Sequence, residues 1–162
     1  MWGQFYLCGD DPRKPDAQVG DSRDIVEFAR KQLGFEPDER QMEVLRSRAK
    51  RAILNCTRQW GKSTTAAVMA VHRAHTEDGC VVLVASPSAR QSAELVAKAR
   101  GLLLSMGIAA HGDGHNDISL QLPNGSRIIG LPENAAKVRG FFFQNAVEER
   151  RTIWVCGPPS TS

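Results

Sequence analysis

The strongest constraint on this chain is the run RAILNCTRQWGKSTTAAVMAVHRAHT at residues 51–76. A short apolar segment leads into a compact loop ending Gly61-Lys62-Ser63, and an alanine-rich segment follows at once. The first segment predicts a strand, and Ala66, Met69, Ala70 and Arg73 recur at helical intervals, so the order is strand, loop, helix. In the pattern G-x-x-x-x-G-K-[S/T], glycine lets backbone N–H groups close around phosphate oxygens while the helix N-terminus adds its positive end. Here Cys56 stands where the first glycine is usual, at a position that needs smallness more than a glycine-only dihedral. Its other reading is a small buried packing residue. In such a loop Lys62 reaches the β- and γ-phosphates, the Ser63 hydroxyl ligates Mg²⁺ carried by ATP, and Thr64 stabilises the first turn or the α-phosphate.

The surrounding sequence predicts an α/β succession. Residues 1–21 hold Gly3, Gly9, Asp10, Asp11, Pro12, Pro15 and Gly20 and read as a poorly ordered arm. Asp21 or Ser22 is expected to cap a helix that carries Ile25, Phe28, Ala29 and Leu33 and stops at Gly34. A second helix restarts after Pro37 with Met42, Leu45 and Ala49 on one face. CVVLVAS, from Cys80, suits a buried parallel strand, and SARQSAELVAKARGLLLSMG a long helix closing at Gly107. ISLQL and RIIGL flank Asn124-Gly125, a strong hairpin signal. Parallel strands are therefore expected near 52–55 and 80–86, with a hairpin near 118–131. Residues 142–162 form a weakly specified tail.

Composition narrows the partners. In 162 residues, 21 basic against 18 acidic side chains give only +3, too weak a field to argue by itself for nucleic acid. No apolar run approaches a membrane span, and a cytoplasmic protein is expected. Cys8, Cys56, Cys80 and Cys156 form no C-x-x-C pair, so reduced thiols are the simple reading. His111, Asp113, His115 and Asp117 gather possible metal ligands in HGDGHND, but between a helix and a hairpin they read first as an exposed loop. His72 and His75 read as solvated or partly packed, and Arg46, Arg48, Lys50 and Arg51 as a solvated basic face.

With Arg58-Gln59 inside it, CTRQWGKST resembles the variant Walker A loop of viral large terminase subunits, the ATPases that drive double-stranded DNA into phage procapsids. The resemblance runs over residues 35–141. It implies a three-layer P-loop NTPase domain with a mainly parallel sheet, incomplete in this chain, over residues 22–141. It also implies ATP and Mg²⁺ as cofactors, a loop of Cys56, Thr57, Arg58, Gln59, Trp60, Gly61, Lys62, Ser63 and Thr64, and Gln41 in the place of an adenine-recognising glutamine. A glutamine amide both donates and accepts, which suits an adenine edge; a solvated helix residue is the alternative.

The same resemblance makes Arg58 a sensor of the γ-phosphate and Arg139, in KVRGF, a finger toward a neighbouring subunit's nucleotide; solvent-facing arginines are the alternatives. The implied partners are duplex DNA, a portal, the small terminase subunit and further copies in a ring, in a bacterial host cell. The chain departs from the family after Phe141. Terminases place Asp-Glu after four apolar residues there, whereas FFFQNAVEERRTIWV supplies Glu148 and Glu149 and no aspartate. Residues from about 142 onward are expected to be out of frame, degenerate or truncated relative to the family. A helicase-like or other P-loop ATPase, and a non-catalytic remnant that keeps the fold, stay open beside the terminase reading.

Overall fold

A computed structural model of the chain describes residues 2–6, 24–47, 51–56, 59–86, 88–116, 118–132 and 151–155. Among the described residues it is mixed α/β, with four helices and a mixed sheet. In chain order the elements are β1 (Trp2–Tyr6), α1 (Ile25–Leu33), α2 (Glu39–Arg46), β2 (Arg51–Asn55), α3 (Lys62–Thr76), β3 (Val81–Ser86), α4 (Ala89–Ser105), β4 (Ser119–Gln121), β5 (Arg127–Pro132) and β6 (Arg151–Val155).

The local signals explain most of these elements. α1 begins at Asp24, whose carboxylate accepts from Val26 N at 2.8 Å, and ends at Gly34 with φ 61°. The cap is therefore not Asp21 or Ser22, which lie outside the described residues; Asp24 wins because the first apolar residue follows it directly. Partial burial opposes ionisation of Asp24, yet bonds from Val26 N, Arg46 and Glu27 N hold its carboxyl below the ordinary carboxylate range. Arg46, at the end of α2, reaches Asp24 at 3.2 Å and so joins the C-terminus of one helix to the N-terminus of the other. α4 starts at Ser88, which accepts from Gln91 N, and closes at Gly107 with φ 74°.

The sheet has the order β2-β1-β6-β3-β5-β4. Its centre is β3, parallel to β5 with Val82 opposite Ile128 and parallel to β6 with Leu83 opposite Ile153. β4 and β5 form the expected antiparallel hairpin at one edge, so β3, β5 and β4 make a three-strand mixed unit. Trp2–Tyr6, within the stretch expected to be a loose arm, instead form β1, antiparallel to both β2 and β6. Aromatic residues in WGQFY favour a strand locally, and the glycines and prolines that dominate the rest of the arm masked that signal. Arg151–Val155, within the tail, form β6 for the same reason: RTIWV is β-branched and aromatic.

The sheet is consequently mixed rather than mainly parallel, because β1 and the hairpin strand β4 run against their neighbours. β2 does not lie beside β3; β1 and β6 separate them. Two antiparallel steps restore the direction, so β2, β6, β3 and β5 all point the same way. The segments that follow β2 and β3 accordingly leave from one end of the sheet.

Alternation along β3 and β5 makes both sheet faces apolar. Val82, Val84 and Ile128 join α1, α3 and α4 in the main core, while Val81, Leu83, Ile129 and Leu131 form a second cluster on the opposite face. The hairpin turn is fastened to the far end of α3. Asn124 Nδ2 donates to Ala74 O at 2.8 Å, and the fully buried Ser126 donates through Oγ to Glu77 O at 2.6 Å and accepts from Cys80 N at 3.2 Å. Ser126→Ala removes the partner of the buried Cys80 N–H and of the partly buried Glu77 carbonyl, and should lower unfolding free energy by about 1–3 kcal/mol, read as a lower urea midpoint with an unchanged slope.

Candidate functional site: the loop before α3

α3 starts at Gly61, whose φ of 89° and ψ of 15° place it in the left-handed region. Gln59 has φ 68°, the one non-glycine residue with positive φ among the described residues. Trp60 between them does not share it, so the sign of φ alternates along 59, 60 and 61. Positive φ at 59 and 61 bends the backbone sharply just ahead of the helix, the kind of local conformation in which successive N–H groups can line a concavity for an anion.

The first turn of α3 continues that surface. Gly61 O accepts from Thr64 N and Thr65 N, both at 2.9 Å, and from Thr65 Oγ1 at 3.2 Å, which fixes the helix start. Gly61 has no side chain with which to cap, and among the described residues no acceptor meets the N–H of Lys62 or Ser63. Among the described residues no carboxylate pairs with Lys62 either. A half-buried lysine, open helix N–H groups and an alternating loop together favour a multiply charged anion such as a polyphosphate. Cys56 follows β2 as a half-buried free thiol.

Gln41 comes to this loop from α2. It is 8% exposed, and its Nε2 donates to Trp60 O at 2.8 Å. Its Oε1 accepts from Asp38 N at 3.0 Å while Asp38 Oδ1 accepts from Gln41 N at 2.8 Å, a reciprocal capping box. Asp38-x-x-Gln41 is a legible box in the sequence, and the pairing is the signal that distinguishes Gln41 from a solvated helix residue. One Nε2 hydrogen and one Oε1 lone pair remain for another partner. A Cβ at position 61 would sit 2.9 Å from Gln41 Nε2 and displace that amide, and the φ of 89° strains any L side chain there.

No protein-family model matches the chain, and no curated protein matches it significantly. Of the residues expected at the site, Gln41, Cys56, Gln59, Trp60, Gly61, Lys62, Ser63 and Thr64 belong to the loop, the helix start that follows it and the glutamine braced against it. Thr57, Arg58 and Arg139 lie outside the described residues, as do Glu148 and Glu149. Among the described residues no helix is long and apolar enough to cross a membrane.

The remaining sequence candidates have structural explanations. Among the described residues no three of His, Cys, Asp and Glu are placed to hold a metal ion. Asp113 instead organises its own loop: Oδ1 accepts from Asn116 N at 2.8 Å, His115 N at 3.0 Å and Ser119 Oγ at 2.8 Å, and Oδ2 from Asn116 Nδ2 at 2.7 Å. Phe28 packs against the rings of His72 and His75, at centroid distances of 5.0 and 5.5 Å. Arg46 pairs with Asp24, whereas Arg48 and Lys50 lie outside the described residues.

Partial burial raises the Asp113 pKa, but the bonds from Asn116, His115 and Ser119 outweigh it and bring the value down from 3.8 to about 2. A carboxyl depressed on folding adds stability at pH values above its unfolded pKa, and that contribution fades as pH falls through the folded value. Carboxyl-carbon NMR should therefore place the Asp113 midpoint near 2, with its share of stability disappearing between 3.8 and about 2. Asp113→Asn should flatten that part of the stability profile.

Proposed function

We propose that residues 56–64 bind the phosphates of Mg²⁺-ATP and that the chain is the ATP-binding part of a large terminase subunit with a P-loop NTPase fold. The observation that carries the reading is the loop itself: φ alternates in sign through Gln59, Trp60 and Gly61 and runs straight into the open first turn of α3, beside Lys62. The site also lies where ligands of α/β sheets are found, at the end from which the parallel-running strands depart. Lys62 neutralises β- and γ-phosphate charge, Ser63 contributes an oxygen to Mg²⁺, and Thr64 supports the first turn.

Arg58 and Arg139 are the proposed cationic groups for transition-state charge, with duplex DNA as the polymer moved and with a portal, a small subunit and further copies as the assembly. The Arg-Gln pair within CTRQWGKST and the KVRGF segment are the sequence features that support those assignments. A second reading, nucleotide binding without turnover, is favoured by one specific observation. No apolar run followed by Asp-Glu succeeds Phe141, so a carboxylate pair that would hold Mg²⁺ and polarise water is not evident in residues 142–162.

Binding and hydrolysis are separable by experiment. Calorimetric titration with Mg²⁺-ATP should give saturable binding that Lys62→Ala weakens at least tenfold, the scale of one charge-assisted phosphate contact. Phosphate release, measured with and without duplex DNA, then distinguishes a motor from a binding domain. DNA-stimulated release by the wild type and not by Lys62→Ala supports the motor; binding without release supports the non-hydrolytic reading. Absence of any ATP binding defeats both.

A further inference from the structure

We propose that Gln41 is a positioning residue for the phosphate loop: its side-chain amide holds the Trp60–Gly61 peptide in its anion-accepting orientation, so it governs polyphosphate affinity whatever base is attached. The inference rests on residues 56–64 being a phosphate site. A trans peptide unit is planar, with its C=O and N–H pointing in opposite directions. The C=O of Trp60 and the N–H of Gly61 belong to one such unit. Gln41 Nε2 takes the C=O at 2.8 Å, and the Gly61 N–H is thereby turned away from α2.

Glycine makes this orientation necessary and also insecure. Gly61 has φ 89°, which an L side chain rarely adopts, and a Cβ there would push against Gln41 Nε2 at 2.9 Å. Yet glycine populates positive and negative φ about equally, so rotation of the 60–61 peptide meets little intrinsic resistance there. A fixed donor on the neighbouring helix supplies the missing restraint. Gln41 is well suited to it, because its own amide is clamped at the other end: Oε1 accepts from Asp38 N at 3.0 Å, and its backbone N–H donates to Asp38 Oδ1 at 2.8 Å. At 8% exposure it meets little competition from water.

The chemistry differs from base reading in its signature. A base reader affects ATP and leaves inorganic tripolyphosphate untouched; a loop brace affects both alike. Gln41→Met keeps the length of the side chain and removes the donor. It should weaken binding of Mg²⁺-ATP and of Mg²⁺-tripolyphosphate by the same factor, roughly tenfold, as expected for one hydrogen bond. Asp113→Asn serves as the control for lost stability, since among the described residues the Asp113 carboxylate bonds only to residues 115–119 of its own loop; it should destabilise the fold and change tripolyphosphate affinity less than threefold.

A loss confined to ATP, no loss for either ligand, or an equal loss in Asp113→Asn would each overturn the inference. If the wild type binds ATP and tripolyphosphate, the underlying site stands whichever way the variants behave; if it binds neither, the site and the brace fall together. NMR of the wild type alone gives an independent reading should the variant not fold. The Gln41 side-chain amide should exchange with solvent more slowly than exposed glutamine amides in the same spectrum, and tripolyphosphate should move the Gly61 N–H resonance. Ordinary exchange at Gln41 would also overturn the proposal.

Discussion

The burial of α3 is the constraint on which the rest of the structure depends. Thr65, Ala66, Ala67, Val68, Ala70, Val71 and Ala74 are all buried, so the helix is enclosed on more than the single stripe an amphipathic surface helix shows. Four alanines among those seven let neighbouring backbone come close, and α3 packs on α1, α2, α4, β3 and β5. Each fully buried valine contributes roughly 1.5–3 kcal/mol of transfer energy, while the alanines mainly make close packing geometrically feasible. A helix held in this way cannot slide along its axis without disturbing every neighbour. The loop at its N-terminus inherits a fixed origin, and the bonds from Asn124 and Ser126 secure its C-terminal end.

How much of this was legible in the sequence depended on the range of the interaction. α1, α3 and α4, the strand from Val81 and the turn at Asn124-Gly125 announce themselves because periodicity, caps and turn residues act within a few positions. Sheet order does not, since the pairing of Trp2 with Asn55 or of Val82 with Thr152 depends on contacts between distant segments. For the same reason β1 was concealed among glycines and prolines, and the Asp24 cap depended on Arg46 and Val26 as much as on its own residue type.

The site divides along the same line. Gly61, Lys62 and Ser63 identify the end of the loop by type and spacing. The left-handed conformation of Gln59 has no such marker, because glutamine carries no local preference for it and the conformation is imposed from outside. The bond from Gln41 to Trp60 spans nineteen residues and joins two segments that the sequence presents as unrelated. Half of it was nevertheless readable: Asp38 and Gln41 satisfy a capping box, and a capped glutamine has its amide committed near the helix axis rather than free in solvent.

Left-handed backbone at a non-glycine residue costs on the order of 1–2 kcal/mol and persists only where the surroundings determine it. At Gln59 those surroundings are β2 on one side and the fixed start of α3 on the other, with the Gln41 bond at the very next carbonyl. Residues 59–61 are thus held without a ligand, which matters for the proposed anion site because N–H groups that must first be ordered by the anion give back part of the attraction as lost entropy. The same geometry bears on Cys56, which the proposed phosphate loop would have as its first residue. Among the described residues of 56–64 the positive φ values fall at 59 and 61, so position 56 is free of that dihedral demand.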